Sequence, residues 1–589
     1  MLDGLRRKLE RIGKLDLLEA PARKAVDHYQ RRADVLTAAD GRQWMLALRN
    51  LGDVLAARGD PMSALGRYRA ALAIAHAYRM VAPSDPIAFD DAAQLHSKLG
   101  EVLQRQGDTE AALAEHSAAL ALREWLSANA PRTTASQTAL ALVRFNLGVT
   151  RRTAGETARA LEDYSAALAI ATSLVKQEPA AEHLAIWELA IRAEIANFKL
   201  NQGDGVGGLA DHRERLRRLE PIASRHVDDM ALQSRLAGAC RAVALAAMKT
   251  DPQLALAHYD RAVRIGAMLV ERDPDNAEWK SELATAHSER GELLALMGKG
   301  ESALGEYHAS KALYQQILVG DPSNGAALGD LAAVHHLIGG GSLELGDPTA
   351  AITAYRAQLA LGEQLVAREP SNDAWHAHVA TAHLGLGEAM QRRGDRDAAL
   401  AAYRAAIALN ERFAAADPSR VGWQRNAVNA HLGVAATLEA ASDRAGALLS
   451  YQSALSSAQR LVAQAPTYRD GKRVLALAHA GVGRVLLAQR DLTGASEHQR
   501  QALTLDRELV ASMPDDLDAL DALAHAHADL ADVLAAHGDV TGARRELAAG
   551  VQIGEQLAAA APHRGSTLAE LRARAKRCCA PAARGSRPR

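Results

Sequence analysis

The residues best suited to chemistry are histidines, and they are densest in the stretch SNDAWHAHVATAH, residues 371–383. His376, His378 and His383 accompany the carboxylate of Asp373 there. Imidazole and carboxylate groups are common ligands of zinc and iron, so the stretch is a candidate metal or catalytic site. The spacing argues against this. On a helix, residues two apart point about 200° away from each other, so His376 and His378 cannot jointly hold one ion.

No other stretch carries a motif for catalysis or phosphate binding. Walker A, His-Glu-x-x-His and Cys-x-x-Cys patterns are absent. The glycine-rich GDGVGG at 203–208 follows no strand, which indicates a turn. Cys578 and Cys579 are adjacent and have no histidine nearby, so we expect inert thiols. The sequence therefore predicts a protein that is not an enzyme, with no catalytic residue, no metal and no cofactor.

The elements that position these residues repeat every 48 residues. Prolines recur with that step at 83, 131 and 179, and again at 274, 322, 370, 418, 466, 514 and 562. Between them stand Gly-Asp pairs at 59–60, 107–108, 203–204, 346–347, 394–395 and 538–539. Glycine can end a helix in the left-handed conformation and aspartate can cap the next one. Because the intervening segments show i, i+3, i+4 apolar spacing, each unit is predicted to be a helical hairpin.

Small residues and one aromatic mark the inside of each hairpin, as in Gly52, Ala64, Tyr68 and Ala71. The first alanine recurs ten times and is replaced once by Gly208, which gives eleven units. This pattern resembles the tetratricopeptide repeat (TPR) over residues 41–563. The resemblance implies an all-α fold, a right-handed α-solenoid of about eleven hairpins. The ordinary unit has about 34 residues, so each helix gains almost two turns and reaches about 20 residues, which keeps its buried stripe facing inward.

Three regions depart from the repeat. Residues 1–40 lack its marks and resemble the junction or capping helices beside such arrays in bacterial signalling proteins. The array is irregular near 200–255, where Pro221 comes early; the helix there either stops or kinks, and we expect the superhelical path to change. Gly339, Gly340 and Gly341 in mid-helix favour tight packing over a hinge or a close approach to a ligand. Residues 564–589 are basic and expected to be disordered.

Composition narrows the class of partner and the compartment. A formal net charge of -1 provides no basic field for nucleic acid, apart from a weak polyanion contact by the tail. Three cysteines cannot staple a chain of 589 residues, which indicates a reducing compartment. There is no apolar run of about 18 residues. The start, MLDGLRRKLERIGKLDLLE, lacks the apolar core of a signal peptide. We expect a cytoplasmic protein with no membrane partner.

The period also explains most histidines and aromatics. His383 belongs to a series at one repeat position, with His96, His287, His335, His431, His479 and His527. Neighbouring helices lie about 8–10 Å apart and a zinc ligand about 2 Å from its ion, so we expect packing between the two helices of a hairpin instead of a metal site. Packing is also expected of Trp279, Trp375, Trp423 and the tyrosine series. His376 and His378 have polar equivalents and are expected to be exposed, and Asp373 to cap its helix.

The resemblance implies a concave groove lined by the first helix of each hairpin, which takes a protein or peptide segment. The positions that match the groove are Gln94, Ser97, Glu101, Arg105, Thr285, Ser288, Glu292, Thr381, Leu384, Glu388, Gln391, Arg392, Asn429, Leu432 and Glu439. They mix charge signs and do not reproduce the Lys and Asn set with which some relatives clamp a C-terminal carboxylate. The first hypothesis is a non-enzymatic scaffold for protein-protein interaction. The alternative is the sensor or regulatory half of a bacterial signalling enzyme whose catalytic module lies upstream or on a separate chain.

Overall fold

The computed structural model describes residues 16–32, 38–58, 60–514, 516–561, 563 and 565–579. These residues form 24 α-helices and no strand. In chain order the helices are Asp16–Gln30 (α1), Ala38–Ala57 (α2), Pro61–Val81 (α3), Pro86–Arg105 (α4), Thr109–Asn129 (α5), Thr134–Thr153 (α6), Thr157–Gln177 (α7), Glu182–Asn201 (α8), Gly205–Arg225 (α9), Met230–Ala247 (α10), Pro252–Arg272 (α11), Ala277–Leu296 (α12), Gly300–Gly320 (α13), Gly325–Glu344 (α14), Pro348–Arg368 (α15), Asp373–Arg393 (α16), Arg396–Ala416 (α17), Val421–Ala440 (α18), Arg444–Gln464 (α19), Arg469–Ala488 (α20), Leu492–Ser512 (α21), Leu517–Ala536 (α22), Val540–Ala560 (α23) and Gly565–Cys579 (α24).

The all-α fold and the count of eleven units are confirmed. Helices α2 to α23 alternate as the first helix (A) and the second helix (B) of eleven consecutive pairs. The described prolines of the 48-residue series lie in the turns that join a B helix to the next A helix. A proline suits these turns because it cannot continue the preceding helix.

The glycine and aspartate marks work as the sequence predicts, with one exception. Gly107 and Gly346 adopt positive φ angles of 80° and 78°. The next residue then caps a B helix, as where Asp108 accepts a hydrogen bond from the Ala111 amide at 3.2 Å. Asp395 stands at the same place but makes no side-chain cap bond. Positive φ without glycine occurs at Ser442 and Arg490, which stand at the glycine position of two repeats.

The buried tyrosines of α15 and α17 each contact two consecutive A helices. The ring of Tyr355 in α15 lies so close to Gly339 in α14 that an added Cβ would be 2.6 Å from it. The same ring occupies the space that a side chain at Gly385 in α16 would need. Such contacts leave room for hydrogen only, because interiors are close-packed. The ring therefore fixes three helices from two pairs.

Two compact units divide the chain, one ending at Ala246 and the other beginning at Ala247. The boundary falls inside the range 200–255 that the sequence marks as irregular. Helix α9 runs through Pro221 to Arg225, so the alternative in which the helix stops at that proline is wrong. The change of superhelical path there stays a prediction.

Capping helices flank the array where the sequence shows no repeat marks. In the first unit, Val26 of α1 is buried in one cluster with Met45 and Leu48. In the second unit, α24 buries Leu571 completely beside Ala528 and Leu547. The expectation of disorder is therefore wrong for residues 565–579, because the last hairpin would otherwise expose an apolar face. Residues 1–15 and 580–589 lie outside the described part of the chain.

Two glycines of α18 test the tyrosine contact. Gly433→Ala places a methyl group inside the contact distance of the Tyr403 ring, whereas Gly422 has open space around its Cβ position. We expect Gly433→Ala to destabilise the second unit by about 1–3 kcal/mol through overpacking. Gly422→Ala, the matched control, should be neutral or stabilising by up to about 1 kcal/mol. Urea unfolding followed by circular dichroism makes the comparison, and equal midpoints for the two variants would contradict the packing account.

Candidate functional site

In the second unit, the A helices form the inner layer of the stack of helices. Within the second unit, α12, α14, α16, α18, α20 and α22 pack side by side, each on the next. Among the described residues, no two B helices pack together to a comparable extent. A layer whose members touch lies on the inside of a curved stack, so the surface of the A helices that faces away from the B helices is the candidate binding surface. We call it the groove face.

The candidate residues of the second unit all lie on A helices and remain at least partly accessible. Glu292, Glu388 and Arg392 are exposed, and the other eight are half-buried: Thr285, Ser288, Thr381, Leu384, Gln391, Asn429, Leu432 and Glu439. Periodicity thus locates accessible side chains along α12, α16 and α18. Whether a partner contacts them stays a prediction.

Several of these polar groups already hold helices together. Thr381 Oγ1 accepts a hydrogen bond from Gln358 at 2.9 Å, and Ser288 donates to Ser310 at 2.8 Å. These bonds join A helices to B helices and fix the wall of the groove. Arg392 donates to Glu388 at 2.7 Å and to the Leu343 carbonyl oxygen at 3.1 Å. The sequence could not show the partners Gln358, Ser310 and Leu343, because they belong to other helices.

In the first unit, Gln94, Ser97 and Glu101 line an open pocket of about 530 Å³, whereas Arg105 is exposed outside the pocket lining. The other charged residues that line the pocket are Arg49, Asp53, Asp90, Lys98 and Arg123. The Gln94 amide joins the network, accepting from Arg49 at 2.7 Å and donating to Asp90 at 2.7 Å. Positive and negative groups balance, so the pocket favours a mixed polar ligand surface over a polyanion.

Several histidines of the series contact the B helix of their own hairpin, as expected. His96 and His287 contact Glu115 and Glu306 on the B helix of the same pair, at 2.6 and 2.7 Å. His527 makes the same contact and is buried, while the other members of the series are half-buried. Burial lowers the pKa of His335 to about 4, so that imidazole is neutral at pH 7. Among the described residues, no group of three or more His, Cys, Asp or Glu could hold a metal ion.

The structure of residues 371–383 differs in part from expectation. His376 is buried, not exposed: its Nε2 lies 2.9 Å from the Pro370 carbonyl oxygen and its ring 4.7 Å from that of Phe413. His378 is half-buried beside Trp375, and burial lowers its pKa. The residues at the equivalent positions of other repeats are polar, so the prediction was wrong. The burial of His376 depends on Phe413, and a phenylalanine occurs at that position in only one repeat.

The helix cap in this stretch was also misassigned by one residue. Asn372 caps α16, its side chain accepting from the Ala374 amide at 3.1 Å. Asp373 is the first helical residue and pairs with Arg420. Trp423 is buried and stacks on Phe413 with ring centroids 4.6 Å apart, which confirms its packing role. The stretch is thus a helix start with aromatic packing.

The three consecutive glycines of α14 serve close packing at two of their positions. Gly339 faces the Tyr355 ring, and a Cβ on Gly341 would lie 3.0 Å from Leu304. Gly340 differs, since the nearest atom to its Cβ position is the Tyr355 hydroxyl oxygen at 3.9 Å. The packing interpretation is confirmed at Gly339 and Gly341, and Gly340 leaves open space on the groove face.

Sequence patterns gave no warning of Asp506. This residue of α21 is 5% exposed, and burial raises its carboxyl pKa to about 7. A buried carboxyl without an opposite charge is more stable in its protonated form. Its equivalent one repeat earlier is Ala458, so the period provides no clue.

Similarity to known proteins is confined to structure. No family model and no curated protein matches the chain. Apo RapI is 13% identical over 71% of this chain and 98% of its own, with a TM-score of 0.48. The human IFIT1 dimer with PPP-AAAA is 15% identical over 78% and 90%, with a TM-score of 0.36. Yeast Tom70 is 13% identical over 82% and 97%, with a TM-score of 0.28.

The class of protein follows from the repeat itself. Paired helices of constant length, buried alanines at one position and a tyrosine set against glycines define a TPR-type α-solenoid, and this chain is one. None of its described helices combines the length and apolar character needed to cross a membrane.

The buried carboxyl of Asp506 predicts a pH dependence. Its pKa is about 7 when folded and near the ordinary 3.8 when unfolded, so its favourable contribution is complete below about pH 4 and lost as the pH rises through 7. The full shift corresponds to a loss on the order of 4 kcal/mol. We expect Asp506→Asn to raise the melting temperature at pH 8 clearly more than at pH 4. Asp397→Asn, on an exposed site of α17, is the control. A gain for Asp506→Asn that does not change with pH would contradict the assignment.

Proposed function

We propose that the chain is a non-enzymatic scaffold that binds an extended segment of a partner protein along the groove face. The observation that supports this most is register. Leu384 in α16 and Leu432 in α18 occupy the same repeat position on adjacent helices, and both remain partly exposed. Thr381 and Asn429 share the repeat position one helical turn before these leucines. A segment that crosses these helices would meet an apolar and a polar contact in each repeat.

The charge of the groove face favours protein over nucleic acid. Along α12 to α18, Glu292, Glu344, Glu388 and Glu439 are acidic, and Arg392 already pairs with one of them. Carboxylates repel the phosphate backbone on which nucleic-acid affinity depends. The histidines, which would be the most reactive groups, serve packing between helices. The surface is therefore suited to binding a polypeptide.

Photo-crosslinking locates the binding surface. We would place benzoylphenylalanine at Leu384 on the groove face, and separately at Leu449, which is 68% exposed on the B helix α19. The proposal predicts crosslinks to a distinct polypeptide from Leu384 and not from Leu449. Crosslinks of equal yield from both positions would refute groove binding.

Charge reversal then measures the contribution of the groove with the purified crosslinked partner. Glu388→Arg with Arg392→Glu reverses an exposed pair on the groove face, and Glu214→Arg with Arg217→Glu reverses a comparable exposed pair on α9. The first double variant should raise Kd at least about tenfold through lost charge-assisted contacts. The second should leave Kd within about twofold, because that pair lies on a B helix and not on the groove face. Unchanged affinity in both variants would argue against the groove.

A further inference from the structure

The tyrosine hydroxyls at the groove face are satisfied unequally. Tyr68, Tyr403 and Tyr451 donate to Asp53, Gln391 and Glu439 at 2.8, 3.0 and 2.7 Å. Each acceptor lies on the A helix of the same pair. A buried hydroxyl needs such a partner, because desolvation without a hydrogen bond is unfavourable.

Tyr307 and Tyr355 lack that partner. Both are 3% exposed, and within the described chain neither hydroxyl makes a hydrogen bond. The positions that hold Gln391 and Glu439 in later pairs are Ala295 in α12 and Leu343 in α14, which cannot accept one through a side chain. Two neighbouring hydroxyls at the groove face are therefore available to a ligand.

An open notch lies beside these hydroxyls. Gly340 occupies the same repeat position as Glu292 in the preceding A helix and Glu388 in the following one. Gly340 has no side chain at the position where Glu292 and Glu388 carry carboxylates. A Cβ built on Gly340 would lie 3.9 Å from the Tyr355 hydroxyl oxygen, and the space around it is otherwise open. Glu344 follows one turn later on the same helix. We call Gly340, the three glutamates and the two tyrosine hydroxyls the Gly340 notch.

The notch has an excess of negative charge. Glu292 and Glu344 have no ion-pair or hydrogen-bond partner among the described residues, and Glu388 is paired with Arg392. Desolvation by the surrounding helices raises the pKa of Glu292. Burial, reinforced by nearby Glu292 and Glu344, raises the pKa of Tyr307 well above its ordinary value. A cation in the notch would lower the pKa values of Glu292 and Tyr307 toward their ordinary values.

The chain contains a related arrangement in which an arginine is present and the carboxylates occupy other repeat positions. Arg484 occupies the same repeat position as Gly340, three repeats later in the chain. Its guanidinium donates to the Tyr451 hydroxyl at 3.2 Å and lies 3.6 Å from Glu439 and 3.7 Å from Asp529. Arg574 of α24 binds Asp529 in a similar way, at 3.0 Å. The groove face therefore accommodates a guanidinium against a tyrosine hydroxyl and carboxylates.

We propose that the Gly340 notch binds an arginine side chain of the partner segment, taking the place that Arg484 fills within the chain. This inference rests on the proposed function. Several acceptors at different angles match a guanidinium, which has five N–H donors in a planar fork. A lysine ammonium satisfies fewer of them at once. The missing side chain at Gly340 gives the arginine its entry.

The test begins with random dodecapeptides displayed on phage and selected on the full chain. A selected peptide, labelled with fluorescein, is then measured by anisotropy in three forms, with its arginine intact or replaced by lysine or citrulline. We expect selected peptides to be enriched in arginine. Citrulline keeps the shape and removes the charge, and should raise Kd at least about tenfold.

Variants of the chain connect this preference to the notch. Gly340→Arg should fill the notch from within and raise Kd at least about tenfold, whereas Gly320→Arg, at an open helical site at the end of α13, should leave it unchanged. Glu292→Gln with Glu344→Gln should also weaken binding about tenfold. Glu363→Gln, at an exposed site on α15, is the matched control. The melting temperature of each variant confirms that it folds.

The outcomes separate the two proposals. Selected peptides without a basic residue, or binding unaffected by the notch variants, overturn the arginine site and leave groove binding in place. Equal affinity for the lysine and arginine forms overturns the choice of arginine. If no peptide is selected on the full chain, the proposed function fails and the arginine site fails with it.

Discussion

The contact between a buried tyrosine ring and glycines of two consecutive A helices is the constraint on which the second unit depends. Tyr355 fills the space between Gly339 and Gly385, and Tyr403 fills the equivalent space between Gly387 and Gly433. The ring sets the spacing of the A layer, because glycine brings the backbones within contact distance and the aromatic group excludes voids. Where the tyrosine recurs, as at Tyr355 and Tyr403, glycines occupy the facing positions of both neighbouring A helices.

The same rings determine the chemistry of the groove face. A ring held between A helices directs its hydroxyl toward that surface, where a side chain of the array, such as Glu439, or a ligand has to satisfy it. Glu439 and Arg484 complete the bonding of Tyr451. Tyr307 instead lies near Glu292 and Glu344, and Tyr355 lies near Glu344 and the Glu388–Arg392 pair. The packing geometry therefore recurs from repeat to repeat, while the polar groups that each repeat presents at the groove face differ. The histidines at the hairpin interfaces contribute to packing instead.

Features set by the period could be read from the sequence, and features set by single contacts could not. The 48-residue step predicted the eleven helix pairs, and the resemblance located accessible groove positions such as Leu384. His376 was expected to be exposed, because its burial depends on Phe413, which does not recur. The raised pKa of Asp506 and the helix around Leu571 likewise arise from one neighbourhood each. The open space at Gly340 required knowing which glycine of three faces the groove.

Native-state hydrogen exchange of Tyr403→Ala, read by mass spectrometry, tests the central claim most directly. If this ring joins two repeats, its removal should raise exchange together in α16, α17 and α18, which it contacts or belongs to. Helices α12 and α13 should keep their protection, since repeat arrays transmit a local defect mainly to nearest neighbours. Faster exchange confined to α17, with α16 and α18 unchanged, would contradict the account.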